Sequence, residues 1–145
     1  VKNPTSTANP PASTAGKIAA ALLLLVVAFQ AALAAGAPWG AATQGGANEG
    51  VVPDVLRVGS VITLLVYSAL AAVAGTSWAP TNTRRRIFYL AAFVMVFATM
   101  LNIASPSLVE RIIWAPVTIV LVITLWRAAR NEAIRPVSPA KRIAT

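Results

Sequence analysis

Hydrophobic and polar positions along this chain fall into long blocks, without the short alternation of half-buried strands. Residues 18–35 are apolar except for Gln30. As a helix this run is about 27 Å long, close to the ~30 Å hydrocarbon core of a bilayer. A second run covers 55–74 with Arg57 near its start, and a third covers 87–104 with Asn102 near its end. The fourth is strictly uncharged only over 112–126, and extends to about 108–128 if Arg111 and Arg127 snorkel to the interfaces. The blocks predict an all-α fold, an integral membrane four-helix bundle with antiparallel spans.

Charge orients the bundle. Lys2 and Lys17 precede the first run, Arg84, Arg85 and Arg86 separate the second from the third, and Arg127, Arg130, Arg135, Lys141 and Arg142 follow the fourth. The two remaining connections hold only Arg57 and Arg111, beside Asp54 and Glu110. The positive-inside rule then predicts both termini on the cytoplasmic side of the cell membrane and the 36–54 loop outside it. Trp39 and Trp114 would mark the outer interface, Trp78 and Trp126 the inner one. A rival reading takes the first run as a cleaved signal peptide, because Ala32-Leu33-Ala34 has the small-x-small form of a cleavage site. Its 18 apolar residues are long for a signal core, which favours a retained span.

Composition agrees: 57% of the 145 residues are hydrophobic and 11% are charged. Cysteine and histidine are both absent, which removes disulfides, thiol nucleophiles, the usual zinc sites and histidine-based acid-base catalysis. No cofactor or metal is expected. The net charge of +8 sits at the ends of apolar runs without interleaved aromatics, so it predicts anionic lipid headgroups as partners and no nucleic acid. Arg84, Arg85, Arg86, Arg127 and Arg130 are the expected lipid-surface residues. Residues 1–16, rich in Pro, Ser, Thr and Ala, predict a disordered cytoplasmic tail; 17–130 would form the membrane domain and 131–145 a basic tail.

Local motifs have local explanations. Ser107 and Glu110 have the spacing of a capping box, with Ser107 as N-cap and the Glu110 carboxylate returning to the Ser107 N–H. Asp54 suits an N-cap with Arg57 as its ion-pair partner one turn on. Gln30 and Asn102 fall at similar depth and should face the interior, where they could bond each other. Small residues at helical spacing, Ala28, Ala32 and Ala35 in the first span and Ser68, Ala71, Ala72 and Gly75 in the second, predict close helix contacts. The stretch GAPWGAATQGGANEG, residues 36–50, is glycine-rich but lacks the Lys-Ser/Thr ending of a phosphate-binding loop. It is expected to fold back over the helix ends, with Trp39 as anchor.

Three pieces, GAPWG with the following GG (Gly36 to Gly40, Gly45 and Gly46), EGVVPDVLRV (Glu49 to Val58) and LNIASPSLVERIIWAPV (Leu101 to Val117), carry a resemblance. The chain resembles a group of small, uncharacterised four-span bacterial membrane proteins, common in actinobacteria. The resemblance implies the architecture and supplies no mechanism. It directs attention to one polar rim, made of Gln30, Trp39, Glu49, Asp54, Arg57, Asn102, Glu110, Arg111 and Trp114. The first expectation is a non-enzymatic protein whose rim binds a lipid headgroup, an amphiphile, a partner membrane protein or a second copy. The alternatives are a small transporter or channel subunit, and a membrane enzyme using Glu49, Asp54 or Glu110 on a lipid-like substrate.

Overall fold

A computed structural model of the protein describes residues 9–134. It contains four long helices, α1 Thr14–Ala34, α2 Asp54–Gly75, α3 Thr81–Ala104 and α4 Leu108–Ile134, and among the described residues none lies in a strand. Each helix is long and apolar enough to cross a membrane. Much of the two expected tails, residues 1–8 and 135–145, lies outside the described residues.

The helix starts differ from the hydropathy boundaries because capping chemistry, not apolarity, decides them. Thr14, Ala15 and Gly16, expected in a disordered tail, form the first turn of α1, since the Ser13 hydroxyl accepts from the Gly16 N–H at 3.1 Å. Such a cap contributes about 1 kcal/mol. Pro53 takes the N-cap position of α2, so Asp54 is its first helical residue and not the cap itself. Helix α3 begins at Thr81 after Pro80, six residues before the apolar run, which winds Arg84, Arg85 and Arg86 into helix. Helix α4 runs through Pro116 and continues to Ile134.

α1 packs along α2 and α3 along α4, while α1 and α4 join the two pairs; α2 and α3 touch only briefly. The surface is largely apolar, with Val55, Leu65, Leu90, Phe93, Leu101 and Ile112 all exposed. A continuous apolar exterior of this kind suits lipid and not water. Between helices in lipid, packing and interior polar bonds supply the cohesion. The α1–α2 contact depends on small residues: a Cβ on Gly16 would come 2.6 Å from the Ala74 carbonyl oxygen, and one on Gly75 3.1 Å from Ala20 Cβ. The expected small face of α2 is thus used at Ala71 and Gly75, but Gly16, Ala19 and Ala20 meet that end of the helix, while Ala28 and Ala35 are exposed.

Most of the enclosed core lies toward the end of the bundle that holds Gly16, Ala74, Arg84 and Glu132. There Ala19, Leu23, Phe88, Leu121, Leu125 and Ala128 are fully enclosed. Arg84 and Glu132 pair at 2.9 Å, both with side chains 0% exposed. Arg84 also donates to the Pro10 carbonyl at 2.9 Å and lies over the Phe88 ring. This corrects the lipid-surface assignment of Arg84. Once residues 81–86 are helical, Arg84 shares the interior face with Phe88, Ala92 and Met95, whereas Arg85, Arg86, Arg127 and Arg130 remain exposed. Breaking a buried pair strands a charge and costs about 3–5 kcal/mol, while replacing both partners by apolar groups is often neutral. Glu132→Ala should therefore lower the thermal unfolding midpoint in detergent sharply, and Arg84→Met with Glu132→Leu should recover most of that loss.

Candidate functional site

The opposite end of the bundle is hollow, and its construction starts where α1 stops. Gly36 adopts φ +94°, a conformation that favours glycine, and the chain reverses with Gly36 N–H donating to Leu33 O and Ala37 N–H to Ala32 O. The Ala34 carbonyl remains, and Arg57 donates to it from Nε at 3.0 Å and Nη2 at 2.6 Å. Asp54 holds the same guanidinium at 2.7 Å. Arg57 and Asp54 thus fasten the start of α2 to the end of α1.

Residues 35–53 then form a compact cap built on two 3₁₀ turns, Gly40–Ala42 and Gln44–Gly46. The Gly40 N–H donates to Gly50 O at 2.9 Å and closes the loop on itself. A Cβ on Gly40 would overlap the Asn48 carbonyl oxygen and lie 2.7 Å from Gly50 O, so glycine is required there by contact. Val52 is buried beneath the turn.

Helix α4 docks the cap at three points. Ser107 Oγ donates to Ala41 O at 2.6 Å, the Gly45 N–H donates to Glu110 Oε2 at 2.9 Å, and Trp114 Nε1 donates to Ala42 O at 2.8 Å. Residues 107, 110 and 114 lie on one helical face, which is why all three reach the loop. The capping box forms only by half. Ser107 Oγ accepts from the Glu110 N–H at 3.2 Å, but Ser105 Oγ takes the Ser107 N–H at 3.1 Å and donates to Glu110 Oε2 at 2.5 Å. With its local target already satisfied, the Glu110 carboxylate serves the loop.

Two cavities lie under this cap. The first, about 120 Å³, is bounded by all four helices and is the more polar of the two: Gln30, Asn102, Glu110, Thr63 and Tyr67 line it together with Trp114 and apolar side chains such as Val26, Met95 and Leu121. Gln30 and Asn102 share this space without a hydrogen bond between them, so the expected interhelical amide pair is replaced by two amides facing one cavity. The second, about 610 Å³, is an apolar cleft between α1 and α4 that opens to the outside of the bundle, walled by the exposed side chains of Leu25, Ala28, Pro38, Trp39, Val109 and Ile113. Phe29 and Trp114 line both cavities, with ring centroids 4.6 Å apart, and Trp39 stacks with Phe29 at 6.1 Å. The Phe29–Trp114 contact is the partition.

The rim expected from sequence therefore divides into three. Gln30, Asn102, Glu110 and Trp114 meet at the polar cavity, with Trp39 in the adjoining cleft. Asp54 and Arg57 are occupied by the α1–α2 junction. Glu49 and Arg111 are exposed and line neither cavity. Thr63 and Tyr67 were absent from the sequence-based set; their i, i+4 spacing inside an apolar run was the available signal. Among the described residues no three Asp, Glu, His or Cys side chains gather as a metal site. Compared with protein-family models, curated proteins and solved structures, the chain finds no match in any of the three.

The cap depends on Gly40, which gives a direct check. Gly40→Ala should destabilise the loop by about 1–3 kcal/mol through overpacking. It should red-shift tryptophan emission and speed proteolysis within residues 35–53. Gly59→Ala, at a helical position where a Cβ meets nothing within 4 Å, should change neither.

Proposed function

We propose that this is a multi-pass protein of the cell membrane, an antiparallel four-helix bundle with both termini cytoplasmic, whose capped end faces outward and binds an amphiphile. The observation that carries the reading is the pair of adjoining cavities, one more polar and one apolar, which share Phe29, Trp114 and Ala42 as their common wall. The apolar cleft has the size of ordinary small-ligand sites, about 300–1,000 Å³. A molecule with an apolar chain and a small polar head matches the two compartments in order. It joins them by turning the half-buried Phe29 ring away from Trp114.

Binding without turnover fits the carboxylates. The chain has four, and three are engaged: Asp54 by Arg57, Glu110 by Gly45 and Ser105, and Glu132 by Arg84. Glu49, the fourth, is exposed and away from both cavities. A pore through one chain has no support, because Leu121 closes the inner side of the first cavity and the fully enclosed Leu125 and Phe88 fill the bundle beyond it. The orientation rests on the arginine and lysine asymmetry between the two ends.

Tryptophan fluorescence tests the reading, since Trp39 and Trp114 wall the cleft. With Trp78 and Trp126 changed to Phe, and the protein in phosphatidylcholine nanodiscs, a brominated long-chain amphiphile should quench emission saturably. Ala28→Phe, which fills the cleft, should weaken that binding about tenfold or more, on the scale of 1.4 kcal/mol. Phe29→Ala, which removes the partition, should strengthen it. Non-saturable quenching that is equal in all three proteins would remove the amphiphile site.

A further inference from the structure

The polar cavity has a lining that selects among head groups. Three aromatic side chains, Phe29, Tyr67 and Trp114, surround it together with the Glu110 carboxylate and the Gln30 and Asn102 amides. Among the described residues no lysine or arginine lines it. The two hydrogen bonds that described residues make to the Glu110 carboxylate both fall on Oε2, which leaves Oε1 for a ligand. The nearby guanidinium of Arg57 is taken up by Ala34 O and Asp54, and Arg111 is exposed outside the cavity.

We propose that the occupant of this cavity is the ammonium head of a long-chain organic cation, with its chain in the adjoining cleft. The inference rests on the amphiphile reading above and adds the charge of the ligand. Aromatic faces attract cations through the ring quadrupole, most strongly when water is excluded, and this is how quaternary ammonium groups are generally recognised. A carboxylate at the same cavity adds Coulomb attraction, which is larger at low effective dielectric than in water. An anionic head meets the same carboxylate with repulsion and finds no cation to offset it. The volume of about 120 Å³ suits a small head and leaves the chain to the 610 Å³ cleft.

Competition in the same nanodiscs provides the test, with empty nanodiscs subtracted. Dodecyltrimethylammonium, dodecanol and dodecyl sulfate share a chain and differ in head charge. The ammonium compound should displace the brominated amphiphile at a concentration at least ~10-fold below that of dodecanol, and dodecyl sulfate should be the weakest of the three. Glu110→Gln should cut the preference for the ammonium compound over dodecanol severalfold, leaving only the share supplied by the aromatic faces. Ser107→Ala, which also loosens the cap but leaves the charge, should keep the preference. Dodecanol equal to or better than the ammonium compound on the unmodified protein would overturn the inference and leave the amphiphile site standing. An undiminished preference in Glu110→Gln would also overturn it. Failure of all three to displace would overturn both.

Discussion

The hydrogen bond from the Gly45 N–H to the Glu110 carboxylate is the interaction on which the hollow end depends. A bond to a charged acceptor is worth about 1.5–3 kcal/mol, more than a neutral one. It is flanked on the same helical face by Ser107 to Ala41 and Trp114 to Ala42. Together they turn a glycine-rich connection into a fixed roof. Without that roof the polar cavity would open onto whatever lies beyond the helix ends. With it, Glu110 holds the roof through Oε2 and is itself part of the cavity lining.

The two ends of the bundle solve opposite problems. At one, small residues let α1 and α2 approach closely and the Arg84–Glu132 pair ties α3 to α4. At the other, Arg57 ties α1 to α2 while the interior stays open and polar. A cavity forfeits packing, and enclosed side chains at the far end supply rigidity in its place. The brief contact between α2 and α3 fits this division, because each is held by its own partner, α1 or α4.

The helices were legible because hydropathy sums over some twenty residues, so single errors average out. Helix ends were less legible, since one hydroxyl or proline decides each, as Ser13 and Pro80 do. Arg84 escaped because its charge was read as a local surface feature, and Glu132, near the end of the last helix, was not singled out at all. Their register with Phe88 and with Ala128 and Ala129 carried the signal that both face inward. For Glu110, the sequence motif identified the residue and the wrong acceptor arrangement, because Ser105 competes for the Ser107 N–H. The use of Arg57 on the Ala34 carbonyl depends on where two distant segments meet, and no local pattern encodes it.

The cap held by α4 is the centre of this account, and amide hydrogen exchange at Gly45 measures it most directly. In nanodiscs, exchange at this amide should be slowed on the order of a hundredfold or more relative to an unprotected amide, and the protection should collapse in Glu110→Ala. Exchange at the unprotected rate in the unmodified protein would contradict the account, because the roof over the cavity would then not exist as a fixed structure.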